Sequence, residues 1–279
     1  METPLKSVLL ASREELEVPT LTLSVSKIKT FKDCKAKFRY TYLEKLPRKE
    51  WDHHVFGKFL HEVLENFYKE IQNGSSQSTN MLLTDCTKRA YANWKAKLNS
   101  DQIKESKEIL QGFLNRLATT DKHASILGVE KEFYIGIDDK ILLNGFIDRI
   151  QLDADGIIHV SDYKTTKHKK YLKNDFFQLL TYAFVMCLED PTIKKIRTSY
   201  IMLRHDFEYI IKEYTRDEVM SIEKTFLDYA ESIQAERLYR PNPTPLCKFC
   251  DHLDICPAGN VFINSNNADH NTKVGVSGW

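Results

Sequence analysis

Apolar residues recur at intervals of three and four through the first part of the chain and at intervals of two beyond about residue 125, so helices precede strands. Ser24 or Ser26 can serve as an N-cap, and Ile28, Phe31, Cys34, Phe38 and Tyr42 predict an amphipathic helix to about Leu46, stopped by Pro47. A second helix is predicted from about Val55 to Ile71, with Phe56, Leu60, Val63, Leu64, Phe67 and Ile71 as its apolar stripe. The polar stretch Asn73 to Asn80 reads as a surface loop, and residues 82–120 as two more helices without evident chemistry.

Two alternating segments, Val129 to Asp138 and Lys140 to Leu152, predict a hairpin turning at Asp138 and Asp139. A second hairpin turns at Ala154, Asp155 and Gly156 into the strand "IIHVSDYK". A helix is expected from about Asp175 to Leu188, then the strand pair "IRTSYIMLR" and "FEYIIKEYT". Thr215 and Glu218 form a capping box that opens a helix through about Leu238.

The second hairpin carries the chemistry. A three-residue loop with Gly156 in the left-handed position places Leu152 opposite Ile158, Ile150 opposite Val160 and Asp148 opposite Asp162. Side chains alternate along a strand, so these six share one face with Lys164, while Ile147, Arg149, Gln151, His159, Ser161 and Tyr163 take the other. A slip of one residue would scatter this sorting, which supports the register. Asp148 and Asp162 therefore end an apolar layer as two neighbouring carboxylates, where repulsion and desolvation are both costly. They are either surface residues at a strand end or hard ligands for Mg2+ or Mn2+, with Lys164 beside the ion to orient water or offset phosphate charge. His61 flanks the helical stripe beside Tyr68, as a boundary histidine or a further member of the site. Gln178 and Tyr182 share a helix face, and fit either ordinary packing or contact with a phosphate or base. Lys164, Lys167, Lys169, Lys170 and Lys173 form a basic run that suits a solvated loop or a phosphate track.

Composition narrows the class. Of 279 residues, 42% are hydrophobic and 28% charged, which fits an ordinary globular protein. The net charge of +1 excludes a bulk polyelectrolyte binder, so nucleic-acid affinity would need a local basic surface. No apolar run approaches the roughly 20 residues of a membrane span, the N-terminus lacks signal-peptide order, and a cytoplasmic location is expected. Cys34, Cys86, Cys187, Cys247, Cys250 and Cys256 are then improbable as disulfides. The crowding of three into the last quarter suggests metal or cluster ligation, whereas Cys86 and Cys187 fall in helical patterns as core residues. The simplest organisation is a lead-in at 1–20, one α/β domain at 21–260 and a polar tail at 261–279. Within that domain, 21–125 is mainly helical, 126–215 holds the core sheet, and 216–260 holds a helix and the cysteines.

Four ordered segments together resemble the RecB-like branch of the PD-(D/E)xK nuclease superfamily. They are "GKFLH" (Gly57 to His61), "GFIDRI" (Gly145 to Ile150), "DYKT" (Asp162 to Thr165) and "QLLTY" (Gln178 to Tyr182). The resemblance implies a restriction-endonuclease-like α/β core, a central mixed sheet flanked by helices. It further implies metal binding by His61, Asp148, Asp162 and the Tyr163 carbonyl, catalysis by Lys164 with Asp148 and Asp162, and DNA contact by Gln178 and Tyr182. Glu130 matches an accessory acidic position that Glu132 could equally fill. The cysteines resemble those of AddB-type and CRISPR-associated spacer-acquisition nucleases. That likeness implies a 4Fe-4S cluster on Cys34, Cys247, Cys250 and Cys256, clamping the core between the chain ends. Lys35 stands where that group often has Pro, and zinc on the last three cysteines with His252 is the rival. The expected function is metal-dependent DNA cleavage, as an exonuclease on single strands or free ends in recombination or repair, with unwinding left to a helicase partner. The alternative is a non-catalytic iron-sulfur adaptor protein within a larger DNA-processing complex.

Overall fold

The computed structural model describes residues 21–117, 125–168 and 175–272, with side chains through 265. The lead-in and Lys169, Lys170 and Lys173 lie outside the described residues. In chain order the first elements are β1 (Leu21–Leu23), α1 (Val25–Asp33), α2 (Lys35–Phe38), a π-helical turn (Arg39–Leu43), α3 (Asp52–Gln72), α4 (Thr79–Trp94) and α5 (Ser100–Leu117). The strands β2 (Ser125–Gly136), β3 (Ile141–Leu152) and β4 (Ile158–Lys164) follow, then α6 (Phe177–Glu189), β5 (Lys195–Met202) and β6 (Glu208–Thr215). Last come α7 (Arg216–Met220), α8 (Glu223–Ala235), two 3-10 turns (Pro245–Phe249 and Leu253–Ile255) and α9 (Pro257–Thr272), so the described part of the polar tail is helical. Two compact units result, one built mainly on residues 50–226 and one on residues 23–49 with the chain beyond 226.

In the larger unit the sheet runs in the order β1-β3-β4-β5-β6, with β2 also paired to β3. The β3–β4 register is the expected one, with Leu152 opposite Ile158 and Ile150 opposite Val160. Gly156 supplies the left-handed turn at φ 78°. β4 and β5 are parallel, joined by the crossover helix α6, while β5 and β6 are antiparallel, so the sheet is mixed as expected. α3 buries Val55, Phe56, Phe59, Leu60, Val63, Leu64, Phe67 and Tyr68, each large apolar chain contributing roughly 1.5–3 kcal/mol. Ile71, expected in that stripe, is 38% exposed in the last turn. The polar set on the opposite face of the hairpin is buried: Arg149 lies over the Tyr68 ring and donates to the Tyr68 and Tyr209 hydroxyls, and His159 bonds Ser199 and Asp153.

Two predicted helices are each broken. Cys34 is extended (φ −160°, ψ 110°) and separates α1 from α2, which takes its thiol off the helical stripe. The helix opened by the Thr215–Glu218 capping box stops at Ser221, whose hydroxyl donates to the Glu218 carbonyl at 2.7 Å and competes with the helical ladder.

In the smaller unit, Cys34, Cys247, Cys250 and Cys256 line one pocket. Three of the sulfurs accept backbone N–H groups: Cys34 from Asn242 at 3.4 Å, Cys247 from Thr244 at 3.3 Å and Cys256 from Gly259 at 3.4 Å. Cys86 and Cys187 are fully buried, as expected of core residues.

Candidate active site

The β3–β4 ladder ends at Arg149 and Ser161, one residue short of the carboxylates. There the Asp148 carboxylate replaces the ladder, accepting the Tyr163 N–H at 2.8 Å. Removed from water and facing Asp162, Asp148 has its pKa raised well above the ordinary carboxylate range. α3 brings His61 to the same point: Nε2 lies 3.0 Å from the Tyr163 carbonyl and Nδ1 lies 3.5 Å from Asp148 Oδ2. Gly57, one turn earlier, allows this approach, because a Cβ there would sit 3.2 Å from Thr165 Oγ1.

β2 supplies Glu130. Its φ of +47° departs from strand geometry, an unusual conformation for a residue with a side chain. Ligating atoms of His61, Glu130 and Asp148 lie within 4.8 Å of one another. Burial, Asp148 and Glu65 push the Glu130 carboxyl up to about 7. Glu132, the competing candidate, is exposed and is bonded by the Tyr134 hydroxyl.

Asp162 is 2% exposed, and its carboxylate turns toward a different set of partners. Lys164 Nζ lies 2.6 Å from Oδ2, and Gln178 Nε2 donates to Oδ1 at 2.7 Å. Gln178 also accepts from Lys164 at 2.9 Å and donates to the Tyr182 hydroxyl at 2.6 Å. One amide thus fixes the lysine, the carboxylate and the tyrosine together. The Phe133 ring packs edge-on to Tyr182, and Gly145 makes room for it, since a Cβ there would fall 2.7 Å from that ring.

His61 and Glu130 thus gather on Asp148, with the Tyr163 carbonyl beside His61, while Lys164, Gln178 and Tyr182 gather on Asp162, which lies outside that ligand group but whose charge reaches Asp148. The donor set suits a hard divalent cation: oxygens and one imidazole, with a buried pair of carboxylates whose mutual repulsion a cation relieves. Sequence reasoning missed Glu65, whose charge reaches both Glu130 and Asp148; its place one turn after His61 on α3 is the signal that could have found it. It also found no chemistry in the helices after residue 82, yet Asn99, Asp101, Gln102 and Glu105 line a groove with Lys164.

The chain folds into a central mixed sheet flanked by helices, and residues 22–257 match the PD-(D/E)XK nuclease superfamily. The chain belongs to that superfamily. It is 30% identical over 180 residues to one component of the ATP-dependent helicase/deoxyribonuclease of three Streptococcus agalactiae strains, a match that covers 58% of this chain and 16% of those proteins. Among solved structures it resembles SSO0001 (TM-score 0.41, 19% identity, 89% of each chain). It also resembles a "Putative exonuclease" from Eubacterium rectale (TM-score 0.46, 12% identity, 83% of this chain and 87% of that one). Among the described residues no helix is long and apolar enough to cross a membrane.

Proposed function

We propose that the protein is a metal-dependent DNA nuclease acting on single strands or free ends. The observation that carries this reading is the convergence of a buried carboxylate pair with His61 and a lysine fixed by Gln178. His61, Asp148, Asp162 and the Tyr163 carbonyl would hold the ion, with Glu130 adjoining. Mg2+ or Mn2+ supplies Lewis acidity and neutralises charge when bound. Lys164, held by Gln178 and Asp162, presents its side-chain nitrogen at the carboxylate edge, where it can orient water or meet phosphate charge. Gln178 and Tyr182 present polar atoms to the strand beside the scissile phosphate.

The cysteine pocket suits a 4Fe-4S cluster better than a zinc site built on three cysteines and His252. Four thiol groups, three of them accepting backbone N–H bonds, provide an all-sulfur donor set. Zinc ligation by His252 would compete with the 3.0 Å bond between its Nε2 and Thr41 Oγ1. Likeness to a component of a helicase/deoxyribonuclease supports action beside a helicase. A time course on 5′- and 3′-labelled single strands with Mn2+ tests the reading: shortening from one labelled end is expected, and intact strands under all divalent ions would overturn it.

A further inference from the structure

Beyond the carboxylates the chain carries a groove of about 810 Å3 that opens beside Lys164. One wall is the segment Lys164 to Lys167 after β4, and the other is the first turns of α3, with His53, His54, Gly57 and Lys58. Hydrogen bonds tie its walls together. Arg204 grips both oxygens of Glu105, at 2.6 and 2.9 Å, and donates to the Thr165 carbonyl. His205 lies 3.2 Å from the Thr166 carbonyl, and Gln102 donates to the Asp52 carbonyl at 2.8 Å, joining α5 to α3.

Its charges nearly cancel. With Glu105 and Arg204 paired, Asp52 and Asp101 oppose Lys58, Lys164 and Lys167. Phosphate attraction alone is therefore weak here. Flat rings take its place on the α3 wall: the exposed His53 and His54 rings meet at 4.2 Å between centroids, and the half-buried Trp51 ring lies 6.1 Å from His53, just outside the groove. Rings in a near-neutral groove beside a phosphodiester site suit bases whose faces are open, which only an unpaired strand offers.

We propose that Trp51, His53 and His54 form a stacking step that receives the bases of a single strand on the Lys164 side of the cleaved phosphate. Lys58 and Lys167 meet its backbone, and the step selects unpaired strands over duplex. This assignment rests on the nuclease reading above for the position of the cut, but not for the binding itself.

The test is fluorescence anisotropy of labelled oligothymidylate on the metal-free protein, beside an abasic strand of the same length. Trp51→Ala and the double change His53→Ala with His54→Ala should each weaken oligothymidylate binding about fivefold to a hundredfold, as loss of base stacking does. They should leave abasic-strand binding within about twofold, and Trp51→Phe should retain most of the affinity. The salt slope of log affinity should be roughly −2 or shallower, as two or three phosphate contacts require. Melting curves by circular dichroism check that each variant is folded. Unchanged oligothymidylate affinity in the folded variants, or an equal loss on the abasic strand, would overturn the proposal. Hydrolysis of bis(p-nitrophenyl) phosphate by the unaltered protein with Mn2+ judges the nuclease reading separately, since that small diester does not need the groove.

Discussion

Replacing Glu130 by glutamine should stabilise the metal-free protein at alkaline pH. The carboxyl is raised from an ordinary 4.5 to about 7, first by burial and then by Asp148 and Glu65, with His61 and Lys69 offsetting part of the effect. At about 1.4 kcal/mol per pH unit the displacement corresponds to about 3 kcal/mol, and partial solvent access reduces this to roughly 1–2 kcal/mol. The sign follows from proton binding: between about pH 4.5 and 7 the folded protein holds a proton that the unfolded chain has released, so folding stability falls as pH rises through that window. At pH 8 in EDTA, Glu130→Gln should therefore raise the melting temperature by about 4 °C, at some 2–4 °C per kcal/mol for a chain of this size. At pH 4.5 the two proteins should nearly coincide. Saturating Mn2+ should reverse the order at pH 8, because a ligand that binds only the folded state stabilises it and the glutamine variant binds it less well. Scanning calorimetry at the two pH values, with and without Mn2+, measures all of these. A variant less stable than its parent at pH 8 in EDTA would refute the argument that uncompensated carboxylates strain this site.

Three further perturbations follow from particular contacts. Gly57→Val should cut strand cleavage at least tenfold by forcing α3 away from Thr165, and adding Thr165→Ala should restore part of the loss in a double-mutant cycle. Arg149→Ala should destabilise the fold by about 3 kcal/mol in urea titration, since it strips a buried partner from two tyrosine hydroxyls; Tyr68→Phe should cost about 1 kcal/mol. Cys250→Ser should abolish a brown colour absorbing near about 400 nm, the expectation for a thiolate-held iron-sulfur centre; colourless, zinc-bearing unaltered protein would contradict the cluster.

Periodicity was sufficient where burial alone decides the outcome. The α3 stripe and the pairing of Ile150 with Val160 could be read directly, because a one-residue slip would expose an entire apolar face. It was insufficient where the backbone departs from the pattern: Cys34 is extended and leaves the helical stripe, and the helix opened at Thr215 stops at Ser221, whose hydroxyl bonds the Glu218 carbonyl. Parity along β2 cannot choose between Glu130 and Glu132, which fall on the same side; the left-handed backbone at Glu130 separates them. Asp148 and Asp162 were expected to be paired, yet the ladder ends just before them, and Asp148 instead takes the Tyr163 amide. The groove walls come from α3, α5 and the segment after β4, far apart in sequence, so no single stretch announces them.

The most direct test is single-strand cleavage with Mn2+ by the unaltered protein, Asp148→Ala and Lys164→Ala, with Mn2+ binding followed by calorimetry. The expected result is cleavage by the unaltered protein alone, with Lys164→Ala still binding the ion and Asp148→Ala binding it poorly. Persistent cleavage by either variant would contradict the site assignment, and a protein that binds DNA yet cuts nothing with any divalent ion would contradict the nuclease reading itself.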